Sequence, residues 1–207
     1  MGVARDERSA LCDLFTELGP DAPTLCDGWR TRDLAAHLVV RDRRPDAAAG
    51  ILIKPLAGWT RRVQDGVAGK PWAELVDLVR SGPPRYSPAA IGAVDEAINS
   101  VEFFVHHEDV RRGRPGWQPR PPAELRDRAL WAALSRGARI MLRRSPVGVA
   151  LRSGEREVSA RRGPNTVIIS GEPGELLLFA YGRDAARVEF DGEQSAIAAV
   201  RGLTRGL

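Results

Sequence analysis

At 207 residues, with 43% hydrophobic and 28% charged side chains, the chain has room for one large domain or two small ones, and its composition is globular rather than disordered or membranous. The net charge of +4 reflects 31 Lys and Arg against 27 Asp and Glu. The arginines are scattered among acids (RDER, TRDL, RDRR, ELRDR), which argues against a nucleic-acid partner. No apolar run is long enough for a bilayer span, and the start MGVARDERSALCDLF lacks the apolar stretch of a signal peptide, so a cytoplasmic protein with no membrane partner is expected.

In chain order, residues 3 to 18 place Leu11, Leu14, Phe15 and Leu18 at helical spacing before Gly19-Pro20 stops the run. After the loop PDAPTLCDGW, Thr31 is expected to cap a second helix, ending by Pro45, in which Leu34, His37, Leu38 and Arg41 share one face. Pro55 to Gly69 and Pro71 to Arg80 read as two shorter amphipathic helices, the second with Leu75, Leu78 and Val79 inward. Past the GPPRYSP loop, Ser87-Pro88 opens a helix that runs to about Arg112, where Gly113 and Pro115 end it. Pro121-Pro122 opens another, with Leu125, Trp131, Leu134, Ala138, Met141 and Leu142 as its buried stripe, closing near Ser145-Pro146.

Beyond Pro146 the texture changes. VGVALRS, REVSARR and NTVIIS are short β-branched segments separated by Gly-containing turns, and a helix GELLLFAYG, a strand ARVEF and a helix SAIAAVRGL follow. The expected class is α+β, with a helical domain over residues 1–145 and a small α+β domain over 146–207.

The chemistry-bearing residues centre on the histidines His37, His106 and His107. An advance of about 100° per residue puts Ile98, Glu102, Val105, His106 and Asp109 on one helical face and turns His107 away from it. A Glu and a His at i and i+4 lie close enough to reach one metal ion, and zinc accepts carboxylate and imidazole donors. His37 completes a set of three if the second helix lies against this one. The same pair also serves as a plain hydrogen bond, and a histidine on an apolar stripe also occurs as a satisfied core residue. His107, Glu108, Arg111 and Arg112 are expected to form a solvated, salt-bridged face. Cys12 and Cys26, too few for a disulfide framework and without CxxC spacing, are expected to pack as small hydrophobes.

At residues 26–44, CDGWRTRDLAAHLVVRDRR, and 102–112, EFFVHHEDVRR, the chain resembles the actinobacterial DinB-like metal-binding proteins, the superfamily that includes mycothiol-dependent maleylpyruvate isomerase. The resemblance implies an N-terminal DinB-like four-helix bundle that binds a divalent metal. Its ligands are one His in a GW-x3-DL-x2-H segment and an E-x3-H or H-x3-H pair on a later helix, positions matched here by His37, Glu102 and His106. The tail GEPGELLLFAYGRDAARVEFDGE looks like the small sterol-carrier-like domain that accompanies the bundle.

The function expected from this resemblance is a mycothiol-dependent thiol transferase or isomerase with Zn2+ or another divalent metal. Its partners would be a low-molecular-weight thiol and a small electrophilic substrate. Asp109 would orient a ligand imidazole or take a proton, and Arg41 or Arg183 would hold a carboxylate, although a surface ion pair is the competing reading of both arginines. The rival functions are a non-catalytic metal- or small-ligand-binding protein and an interaction module.

Overall fold

A computed structural model describes residues 2–48, 50, 53–84 and 92–205, with backbone alone at 54, 92–95, 97 and 98. The described residues form nine α-helices and one four-stranded sheet, the mixed architecture expected, and they gather into two compact units, Met1–Trp117 and Gln118–Leu207.

The first unit holds α1 (Val3–Leu18), α2 (Thr31–Arg43), the single turn α3 (Pro45–Ala48), α4 (Ala57–Ala68), α5 (Trp72–Ser81) and α6 (Gly92–Arg111). The Ser87-Pro88 start read for α6, and the side chain of Ile98, lie outside the described residues. Gly19 closes α1 by donating its N–H to the Phe15 carbonyl. Four helices share one core: Leu11 and Phe15 from α1, Leu34 and Leu38 from α2, Leu75 and Val79 from α5, Phe103 and Val110 from α6. Truncating any of these large buried side chains to alanine removes roughly 2–5 kcal/mol.

α6 departs from the amphipathic expectation. From Asn99 to Val110 every residue but Glu102 is buried, so this stretch of the helix buries all its faces. The face read as solvated is therefore interior. His107 Nδ1 donates to Glu7 Oε2 across 2.8 Å, and Glu108, fully buried, receives Arg111 at 2.7 Å and Arg112 at 2.5 Å. Charges are tolerated there because each is paired and hydrogen-bonded.

The second unit opens with α7 (Glu124–Met141), followed by β1 (Val149–Ser153), β2 (Arg156–Arg161), β3 (Val167–Ser170), α8 (Pro173–Ala180), β4 (Glu189–Asp191) and α9 (Gln194–Arg201). The sheet order is β2-β1-β3-β4, with β1–β2 and β3–β4 antiparallel and β1–β3 parallel. α7 packs on α8 and β2 through a stripe of Leu130, Leu134, Ala138 and Met141. Leu125, read as part of that stripe, is 69% exposed in the first turn of the helix. The change of texture at Pro146 thus falls inside this unit, whereas the contacts part at Trp117–Gln118.

Candidate metal centre

The α1–α2 loop folds back on itself before α2 begins. The Cys26 carbonyl accepts the Trp29 N–H at 2.9 Å, and Gly28, third in that turn, takes φ 74°, a conformation that costs glycine little. Asp33 accepts the Arg30 N–H at 2.8 Å, so Arg30 is the cap residue of α2. The Thr31 hydroxyl, expected in that role, instead donates to the Gly19 carbonyl at 2.6 Å. The far end of α6 is fastened to the same loop. The Leu25 N–H donates to the Asp109 carbonyl at 2.9 Å, and a Cβ on Gly113 would run into the backbone of Pro23 and Thr24. Loop, α2 and α6 thereby bring Cys26, His37, Glu102, His106 and Asp109 to one place.

There the Nε2 atoms of His37 and His106 both face Glu102 Oε1, at 3.4 and 3.2 Å. Four donors about 2.0–2.1 Å from a zinc ion stand about 3.3 Å apart along each edge of the tetrahedron, so the spacing fits three donors of one ion. The three ligand atoms lie within 4.8 Å of one another, as do those of a second set, Cys26, His106 and Asp109. His106 belongs to both sets: its Nδ1 is 3.0 Å from Asp109 Oδ2, to which the Cys26 thiol also donates at 3.2 Å. A ring nitrogen held this way fixes the tautomer and points Nε2 at Glu102.

Electrostatics follow from the burial of the cluster. Burial pushes the His37 imidazole below its ordinary pKa, against the pull of Glu102. Burial acts on His106 in the same sense, but hydrogen bonds with Asp109, Cys26 and Glu102 outweigh it and hold the pKa well above the usual imidazole value. For Glu102, burial would raise the carboxyl, yet hydrogen bonds from His106 and His37 and the nearby charges of His106 and Arg41 hold it well below the usual carboxylate range. Protons and a metal ion compete for these donors, and the donors have the carboxylate charge a cation needs.

Arg41 stands one turn beyond His37, where it reaches Glu102 Oε1 at 3.4 Å and Asp42 Oδ1 at 2.9 Å. The carboxylates it holds are therefore those of the protein. Arg183 belongs to the second unit, where its Nη1 donates to the Tyr181 carbonyl at 2.8 Å. Sequence reasoning read Cys26 as a small packed hydrophobe and gave Trp29 no role at the site. The Trp29 ring lies 5.2 Å from that of His37, and Cys26 sits against Asp109, though 83 residues separate the two. Both stand in the same CDGW string as the turn, but only the folded loop puts them beside histidine. Beside His37 opens a cavity of about 460 Å³, lined among others by Trp29, Asp33, Thr60, Arg61 and Gln64.

The fold has counterparts. Two solved structures, the crystal structure of the mycothiol-dependent maleylpyruvate isomerase and that of a histidine-to-alanine mutant of it, superpose with TM-scores of 0.62 and 0.63. Each is 16% identical in sequence, with 92% of this chain and 91% of the other covered. No curated protein sequence matches the chain. Residues 2–135, which take in the first unit and most of α7, match the family model of the mycothiol maleylpyruvate isomerase N-terminal domain. That match spans well over half of the chain, which therefore belongs to the mycothiol maleylpyruvate isomerase N-terminal domain family.

Proposed function

We propose that the chain is a cytoplasmic, mycothiol-dependent isomerase or thiol transferase that holds one divalent metal, zinc by preference, through His37, Glu102 and His106. The observation that carries this reading is the convergence of two imidazole Nε2 atoms on one carboxylate oxygen at 3.4 and 3.2 Å. Three protein donors rather than four is the count of a catalytic zinc site. Such an ion, when bound, supplies the positive charge that favours thiolate over thiol in a cofactor. Asp109 accepts a hydrogen bond from the Nδ1–H of His106 and steadies the ring, and Arg41 keeps Glu102 ionised and in place. The cavity beside His37, with the hydrogen-bonding side chains Asp33, Thr60, Arg61 and Gln64 on its walls, suits a hydroxyl-rich ligand such as the sugar portion of mycothiol. In the same reading the first unit is a DinB-like bundle and the sheet of the second unit is sterol-carrier-like.

The test is calorimetric titration of the zinc-loaded chain with mycothiol in buffers of different ionisation enthalpy, repeated after removal of the metal. A thiol of ordinary pKa, about 8.5, is only a few per cent ionised at pH 7. Metal-dependent proton release on binding is the expected result. Binding with no proton release would point to a non-catalytic binding protein.

A further inference from the structure

The second unit carries a hollow of its own, of about 400 Å³, where the end of α8, the segment leading into β4 and the end of α9 come together. Its floor is aromatic: Phe179 and Phe190 meet edge to face, with centroids 5.5 Å apart and planes at 73°. Val188 adds to the apolar lining. Two cations stand over this floor. The guanidinium carbon of Arg205 lies 4.1 Å from the Phe179 ring centre, and that of Arg201 lies 4.7 Å from that of Phe190.

The Arg205 side chain is only 4% exposed, an unusual degree of burial for a guanidinium. Its acidic partner is Asp184, a surface side chain 91% exposed, and its Nη1 makes a long 3.4 Å bond to the Arg201 carbonyl. Its Nε–H is buried with no acceptor. A guanidinium offers five donors in a fixed planar fork, so this one retains unmet donor capacity at the hollow. Among the described residues that line the hollow, two arginines stand against one aspartate.

We propose that this hollow binds a small organic anion, a carboxylate on an apolar and preferably aromatic body. The carboxylate engages Arg205 in place of Asp184, which is free to swing into solvent, and the body rests on Phe179 and Phe190. The planar fork of arginine matches a carboxylate with two parallel bonds, and the aromatic floor gives a reason for the apolar body that an inorganic anion lacks. The site uses no residue of the metal centre, so it stands or falls independently of the proposed reaction.

Benzoate is the probe, and benzamide is its neutral isostere. Calorimetric titration of the full chain should give one benzoate per chain, with benzamide at least tenfold weaker. Arg205→Gln should weaken benzoate at least tenfold. Asp184→Asn, at an exposed position that does not endanger the fold, should tighten it severalfold by removing the competing carboxylate. His106→Ala, which disrupts the metal centre, should leave benzoate binding unchanged. Equal affinity for benzoate and benzamide, an Asp184→Asn chain that binds no better than the parent, or loss of binding in His106→Ala would overturn the proposal.

Discussion

Glu102 faces two imidazoles and a guanidinium with a single carboxylate, so it acts as the counter-charge of the site as well as a proposed metal donor. Its partner His106 holds its proton well above the usual imidazole range, and a metal must displace that proton to use Nε2. Metal content should therefore fall as the pH is lowered through and below neutrality. At neutral pH, elemental analysis should find about one metal per chain, most of it gone in His106→Ala and retained in His107→Ala. Loss of metal from the His107 variant with retention in the His106 variant would refute the assignment. Asp109→Asn should weaken metal binding by about 10–100-fold. His107→Ala should cost about 1–3 kcal/mol of stability through the lost bond to buried Glu7. The two thiols differ as their surroundings do. Cys12 is enclosed, and burial pushes its pKa up to about 11 from an ordinary 9.0. A raised folded-state pKa gives stability that is complete below pH 9 and is lost as the pH rises through 11. The loss amounts to about 2–3 kcal/mol at 1.36 kcal/mol per unit. Thermal melts of the parent and Cys12→Ala between pH 8 and 11 should show a steeper alkaline decline in the parent. Equal slopes would mean that the thiol is not held neutral by the fold. The proposed ligands Glu102 and His106 were legible in the sequence because one helix turn relates them. Cys26 was not, because the loop that carries it meets Asp109 only through the tertiary fold.

Among the helices, α6 shows where periodicity stops being informative. The limits of α1, α2 and α5 can be read from Gly19-Pro20, Pro45 and Pro71, since these residues break or open helices by their backbone chemistry whatever surrounds them. Which face of α6 is buried cannot be read that way. From Asn99 to Val110 all but Glu102 are buried, so Glu108 and Asp109 are interior and paired, and a polar stripe no longer means solvent. Leu125 errs in the opposite direction, an apolar residue in the first turn of α7 that faces out. The close approach of α6 to the site loop makes a further prediction. Gly113→Ala would press a methyl group against the backbone of Pro23 and Thr24, which cannot yield as a side chain tip does. It should destabilise the chain by about 1–3 kcal/mol and weaken metal binding by moving Cys26 and its partner Asp109. Gly66→Ala is the control. It lies in α4 with open space around its Cβ position, and it should stabilise by about 0.5–1 kcal/mol through lower entropy of the unfolded chain. Chemical denaturation of both variants, with metal affinity measured alongside, separates a steric effect at the site from a general effect of replacing glycine.

At the scale of the whole molecule, the sequence and the contacts divide the chain at different points. Sequence texture changes at Pro146 because strands begin there, and a helix preceding strands reads naturally as the last member of a helical domain. The contacts group α7 with the sheet, because Leu130 and Leu134, both fully buried, lie on a helix whose partners are α8 and β2. Burying each leucine is worth roughly 1.5–3 kcal/mol, so α7 has a strong physical claim on the second unit. All the residues proposed to hold metal precede Trp117. Two shortened chains decide between the divisions, one ending at Ser145 and one at Trp117. Both are expected to keep a helical circular dichroism spectrum and one metal per chain. The longer one should present the α7 stripe to solvent, bind an apolar dye more strongly and aggregate at a lower temperature, since an exposed apolar face of that kind promotes association. If the chain ending at Trp117 unfolds while the one ending at Ser145 stays soluble, metal-loaded and dye-free, then α7 completes the metal-binding domain and the division at Pro146 is the true one.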